Sequence, residues 1–151
     1  MEHNKEEKLL FSIYYLSTID YSKMFVNCSR CEFIIMTIID NYLNKNNADK
    51  IYITTLADEL SISVPAVSRT LRNLEFRRLI KRNIDVFCRR NTYVKFTEKG
   101  KKVFAENKKK VIKIQEKLTK LVDEKELSSF INTVDVIRNF LDEELGGNKN
   151  A

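Results

Sequence analysis

The fold turns on one stretch, Ile62 to Ile80: ISVPAVSRTLRNLEFRRLI. Val64, Val67, Leu71 and Leu74 recur at spacings of 3, 4 and 3, the inward stripe of an amphipathic helix. Ser63 stands where a cap is needed. Pro65 falls in the first turn, where a missing amide costs little. The opposite side carries Pro65, Ala66, Arg69 and Asn73, flanked by Thr70 and Arg72. Small residues at the leading end permit close approach to another molecule. Arginine and asparagine pair with guanine and adenine edges in a major groove.

Upstream, TTLADELSI predicts a short helix capped by Thr54, with Leu56, Ala57 and Leu60 facing inward. Ser61-Ile62-Ser63 reads as a tight turn. Two short helices joined by a turn, the second bearing base-reading side chains, describe a helix-turn-helix. Ile51 to Ile53 reads as a short β run. Downstream, Ile84, Val86, Tyr93, Val94 and Phe96 suggest two strands, with Arg89, Arg90 and Asn91 at the tip between them. A two-stranded ribbon in that place is a wing, and its arginines suit the negative potential of a minor groove.

Charge supports this direction. Residues 1–67 carry a net charge of −3, residues 68–113 of +12 and residues 114–151 of −3. The positive charge lies in one central segment that holds both the second helix and the wing. Such a distribution predicts a polyanion, most simply double-stranded DNA. A solvated basic helix accounts for Lys108 to Lys110 but less well for the arginines of 69–90.

Long helices flank the segment. One runs from Asn4 or Lys5 to about Met24. Its Leu9, Leu10, Phe11, Ile13, Tyr14, Tyr15, Leu16 and Ile19 cover most of its circumference, which calls for burial against a second subunit. A capping box, Ser29-x-x-Glu32, opens the next helix. Thr97 caps a helix from Glu98 to about Val122, with Phe104, Val111, Ile114, Leu118 and Leu121 in a stripe. Asp123 and Glu126 offer another box before a last helix to about Leu145, apolar at Leu127, Phe130, Ile131, Val134, Ile137 and Leu141. The expected architecture is mainly α: a winged helix-turn-helix lobe over 29–97, dimerisation helices over 1–28 and 98–145, and a frayed tail over 146–151.

With 151 residues, three glycines and one proline, a single helical domain is expected. No apolar run is long enough to span a membrane and no signal peptide is evident, so a cytoplasmic protein without membrane contact is expected. Three cysteines make no disulfide framework. Cys28 and Cys31 form a C-x-x-C spacing that reads as structural, as a redox pair or as part of a metal site. With His3 the single histidine, four zinc ligands are hard to assemble, and no metal or cofactor is expected. No Gly-rich phosphate loop, H-E-x-x-H or Ser–His–Asp set is present, and no enzyme is expected.

At this level the chain resembles the MarR family of winged-helix transcriptional regulators. The resemblance rests on Leu56-Ala57-Asp58-Glu59-Leu60, Val67-Ser68-Arg69, Leu74-Glu75, Leu79-Ile80 and Thr97-Glu98-Lys99-Gly100, in order and spacing, and covers nearly the whole chain. It implies a homodimeric repressor of a pseudo-palindromic operator, released by a small aromatic or other effector, or by oxidation. The DNA contacts it implies are Ser63, Pro65, Ala66, Ser68, Arg69, Thr70, Arg72 and Asn73 on the helix and Arg89 and Arg90 on the wing. The effector pocket it implies would draw on Tyr14, Tyr15, Tyr21 and Phe33, although aromatic residues at helical spacing are more often plain core.

Three departures stand out. Arg78 occupies a position where the family usually has Gly. The family's wing usually carries Asp two residues before its groove-binding arginine; here Arg90 is that arginine and Cys88 holds the Asp position, with Asp85 as a substitute if the wing is reshaped. Leu10 replaces the reactive cysteine of the peroxide-sensing branch, which leaves Cys88, in a basic wing where a lowered pKa is expected, or the Cys28/Cys31 pair for a thiol-sensing regulator. A winged helix used only for protein contact is the remaining alternative.

Overall fold

The structure, a computed structural model, describes residues 4–144. His3, Leu145 and the 146–151 tail lie outside the described residues. Helices α1 (Lys5–Thr18), α2 (Arg30–Lys45), α3 (Ile53–Leu60), α4 (Val64–Phe76), α5 (Glu98–Leu118) and α6 (Glu124–Glu144) alternate with strands β1 (Ile51–Tyr52), β2 (Ile80–Ile84) and β3 (Thr92–Phe96). The strands form one antiparallel sheet in the order β1-β3-β2. The wing therefore has a third strand at its base: Ile51 pairs with Val94 and Tyr52 with Tyr93, while Ile80 pairs with Phe96 and Ile84 with Thr92.

The core lies between α2, α3, α4 and the sheet, and Val103 and Phe104 of α5 join it. Met36 and Ile39 of α2, Leu56 of α3, Val67, Leu71 and Leu74 of α4, and Ile51 and Val94 of the sheet are fully buried together. The predicted stripe of α4 is thus the inner face, with one correction. Val64 is exposed, because it is the first residue of its helix and lies at the open end of the stripe.

Several boundaries differ from expectation. The first helix stops at Thr18 instead of Met24, and a separate 3₁₀ turn, Tyr21–Met24, follows. The Asp20 carboxylate accepts from the Ser22 amide and caps that turn, so the chain restarts there. Ile53 opens α3 instead of closing a strand, and Tyr52, not Thr54, holds the N-cap position without a side-chain bond. Helix α5 ends at Leu118. Val86 lies beyond the end of β2. Asp123 caps α6 by accepting from the Lys125 amide at 2.7 Å, one residue short of Glu126, so the expected box with Glu126 is replaced by a simple cap.

Other local signals are met. Ser29 accepts from the Glu32 amide while Glu32 accepts from the Ser29 amide at 2.6 Å. Thr97 Oγ1 accepts from the Gly100 amide at 2.9 Å. Helix α4 closes in a left-handed turn at Arg78, with φ of 59°. The Arg78 amide reaches the Glu75 carbonyl and the Leu79 amide reaches that of Leu74, so buried Leu79 returns onto buried Leu74. A side chain in that region costs about 1–2 kcal/mol that glycine does not incur. Part of the gain from glycine is offset by its greater freedom when unfolded. Arg78→Gly is therefore expected to raise stability by up to ~1 kcal/mol, read as a higher urea midpoint at unchanged slope. A lower midpoint would mean that the Arg78 side chain holds the turn by contacts that outweigh the strain.

One long-range tie connects α5 to the segment before α2. Asn107 is fully buried. Its Oδ1 accepts from the Val26 amide at 2.8 Å, and its Nδ2 donates to the Val26 carbonyl at 2.9 Å and to that of Val103 at 2.8 Å. Beyond it, Asn27 takes a left-handed conformation and its carbonyl accepts from Arg77, which also pairs with buried Glu32 at 3.5 Å. The end of α4 is in this way tied through α2's cap region to α5.

Candidate nucleic-acid interface

Helix α4 stands with its outer face open. Pro65, Arg69, Arg72 and Asn73 are exposed, and Ser63, Ala66, Ser68 and Thr70 are partly so. Pro65, Arg69 and Asn73 are spaced by four and run along one line of the surface. Ser63 holds the N-cap position, but its hydroxyl makes no capping bond. Pro65 has no amide to offer, and the Ala66 amide goes instead to the Ser63 carbonyl at 3.0 Å.

The wing tip is built around Asp85. This carboxylate is buried, about 5% exposed. Its Oδ2 accepts from the Tyr52 hydroxyl at 2.6 Å and from Lys50 at 3.1 Å, and its Oδ1 from the amides of Phe87 at 2.9 Å and Cys88 at 3.3 Å. The Asp85 amide donates to the Asn91 carbonyl, and the Asn91 amide closes a turn onto Cys88. Lys50 also lies over the Tyr93 ring, which meets Tyr52 edge-on. Asp85 therefore does not stand in for the missing wing carboxylate, since its oxygens face β1 and the backbone, and no ion pair joins it to Arg90. It fastens the tip to β1 instead.

The Tyr52 hydroxyl, the Phe87 amide and Lys50 hold the Asp85 carboxyl well below the usual carboxylate range. A depressed folded value stabilises the fold above the unfolded pKa of about 4 and loses that contribution as pH falls through the folded value. The tip is accordingly expected to stay fastened through mild acid. Asp85→Ala should make the Phe87 and Cys88 amides exchange with solvent at least about tenfold faster, while those of Leu71 and Leu74 keep their protection. Unchanged exchange at the tip would show that Asp85 does not hold it.

Between α4 and the ribbon lies a cleft of about 140 Å³, lined by Thr54, Val64 and Ser68 on one side and Arg82, Arg90 and Asn91 on the other. The structure thus brings Arg90 beside the start of α4. Arg69, Arg72, Arg89 and Arg90 have no ion-pair partner among the described residues, whereas Arg77 and Arg82 are engaged by Glu32 and Glu75.

The other candidate residues are scattered. Phe33 is a core residue, packed between Phe25 and Phe104. Tyr21 lies under the Arg30 guanidinium. Tyr14 and Tyr15 are exposed on α1, where a shallow hollow includes Tyr15 with Lys8, Phe11 and Ser12 but none of the other three aromatic residues. The three cysteines are free, Cys31 and Cys88 exposed and Cys28 half-buried against the core. Burial, then the Glu32 carboxylate, pushes the Cys28 thiol up to about 11 against the opposing pull of Arg77. That position suits a structural cysteine. Among the described residues no cluster of three metal-ligating side chains is found, and no helix is long and apolar enough to cross a membrane.

No family model and no curated protein matches the sequence. Solved structures match in shape. The MepR–DNA complex of S. aureus is 18% identical, with 92% of this chain and 99% of that chain covered at a TM-score of 0.73. A mutant MarR from E. coli with operator DNA is 19% identical over 74% of this chain and 76% of that one, at 0.62. The PcaV regulator of Streptomyces coelicolor with its natural ligand is 12% identical over 89% of each chain, at 0.67. The MarR-type winged-helix fold read from the sequence is therefore the fold of this chain.

Proposed function

We propose that the protein is a sequence-specific double-stranded DNA-binding transcriptional regulator, working as a homodimeric repressor released by a small-molecule effector. The observation that carries the reading is the set of arginines without carboxylate partners among the described residues, Arg69 and Arg72 on the exposed side of α4 and Arg89 and Arg90 on a wing whose Arg90 shares a cleft with the start of that helix. Helix α4 enters the major groove. Pro65 and Ala66 allow it to approach, Arg69 and Asn73 read base edges, and Ser63, Ser68, Thr70 and Arg72 take phosphates or bases. The wing arginines follow the backbone into the flanking minor groove.

The dimer is supported by what one chain leaves uncovered. Leu9, Leu10 and Leu16 of α1, Ile114 and Leu118 of α5, and Phe130 and Phe140 of α6 are all exposed. Large apolar side chains left exposed on three helices call for a covering partner, and a two-fold pair would present two α4 helices to two half-sites.

The test is fluorescence anisotropy with a labelled duplex that the protein selects from a randomised pool, against a scrambled duplex, over a range of salt. Affinity should fall with a log–log slope of about −0.9 per phosphate neutralised, and the selected duplex should resist scrambled competitor. Equal affinity for both duplexes would overturn the sequence-specific reading, and sedimentation as a monomer at micromolar concentration would overturn the dimer.

A further inference from the structure

We propose that Phe87, with Val86 beside it, is an apolar wedge that the wing inserts between base pairs of the minor groove, so that bound DNA is unstacked and bent at that step. The inference rests on the DNA-binding reading above and gives it a specificity element separate from α4.

Phe87 is 98% exposed and Val86 86%, at the end of a ribbon whose Ile84 is exposed as well. An apolar tip of three residues on a segment rich in arginine is not explained by the core, which it does not touch. The tip is also held. Asp85 accepts from the amides of Phe87 and Cys88, and the Asn91 amide closes the turn onto Cys88. The backbone under Phe87 is therefore fixed before any partner arrives, and phenylalanine has only two side-chain torsions left to order. A rigid aromatic presented in this way gives up little entropy on insertion.

The occupant follows from the neighbours. Arg89 and Arg90 follow two and three residues later and have no ion-pair partner among the described residues. Arg90 and Asn91 share a cleft with Val64 and Ser68 at the start of α4, so a duplex seated on α4 runs past the tip. Arginines draw the tip to the negative minor groove, and an apolar side chain beside them has base faces as its only dry surface there. Stacking on the wedge offsets the unstacking of the step. The balance favours TA and CA/TG steps, which unstack most readily. Selectivity would then arise at a position that no hydrogen bond reads.

The experiment uses the full chain and the duplex selected from the randomised pool, with 2-aminopurine placed in turn at each adenine outside the α4 contacts and with end labels to report bending by energy transfer. Wild type should raise 2-aminopurine emission at one step in each flank and shorten the end-to-end distance. Phe87→Ala, at so exposed a site, should fold normally, bind roughly tenfold more weakly and lose both signals, while Phe87→Leu keeps part of them. Replacing the pyrimidine–purine step by AA should weaken wild type but not Phe87→Ala. Wild type that binds the selected duplex with no emission change and no difference from Phe87→Ala would overturn the wedge and leave the DNA-binding reading standing. Sedimentation of Phe87→Ala as a smaller species, with DNA signals intact, would assign the tip to a second copy of the chain and overturn the wedge. Failure of wild type to prefer any duplex would overturn both.

Discussion

Arg69→Ala is expected, on the proposed function, to weaken binding to the selected duplex by about 1–3 kcal/mol, roughly 5- to 150-fold, and to relax the sequence preference at one base pair in each half-site. The residue lies on the exposed line Pro65–Arg69–Asn73, in the middle of α4, where a helix seated in the groove is closest to base edges. Its neighbour one turn earlier is a proline with no long side chain, so the guanidinium meets no obstruction. It has no ion pair to break, so docking costs only its own ordering. Lys108→Ala is the control. Lys108 pairs with Asp40 at 2.9 Å on α5, and its loss should leave base preference unchanged. The measurement is a set of anisotropy titrations against the selected duplex and its single-pair variants. A loss of equal size on every variant would make Arg69 a phosphate contact and not a reader.

Gly100→Ala should destabilise the fold by at least ~3 kcal/mol, above the usual range of about 1–3 kcal/mol for an overpacked site. A Cβ built there falls 1.8 Å from the Leu79 carbonyl oxygen, 2.8 Å from its carbon and 3.2 Å from its Cα. None of these is the end of a flexible side chain. The same oxygen accepts from the Thr97 amide at 3.0 Å and from Thr97 Oγ1 at 3.1 Å, so retreat would break the bonds that anchor the capping residue of α5. Leu79 is also the residue that turns α4 back onto the core. Domains of this size have about 5–15 kcal/mol to lose, so the variant should show a much lower urea midpoint. A midpoint within error of wild type would mean that α5 can shift off the sheet without cost, and the close approach would then carry no weight.

What could be read along the chain was what is local. The stripe Val67–Leu71–Leu74, the box Ser29–Glu32 and the cap Thr97–Gly100 each lie within about one or two turns, and their residue types state their partners. Val64 fits the same stripe arithmetic, yet is exposed, because periodicity does not say where the neighbouring wall ends. Asp85 shows the larger limit. From the sequence it is a candidate partner for Arg90 five residues on; in the fold it accepts from Tyr52, 33 residues earlier, and from amides of its own loop. Arg78 announces a departure from the family resemblance, but only the backbone shows that the departure sits at a left-handed turn. Pro65, Arg69 and Asn73 share the outer face of α4 as their spacing implied, whereas Tyr14 and Tyr15 lie on α1, Tyr21 in the 3₁₀ turn and Phe33 in the core, a distribution that spacing within a helix cannot state.

The buried amide of Asn107 sets how this protein can drift. Its two bonds at residue 26 go to main-chain atoms, so position 26 can change its side chain and still be held. Position 107 has no such latitude. Aspartate would replace a donor by a charge facing the carbonyls of Val26 and Val103, and leucine would strand both main-chain groups of Val26. Substitutions should therefore accumulate at position 26 and be purged at one residue 81 positions away. The tie is asymmetric in mutational tolerance, and a saturation library scored for folding would show one permissive column and one nearly closed one.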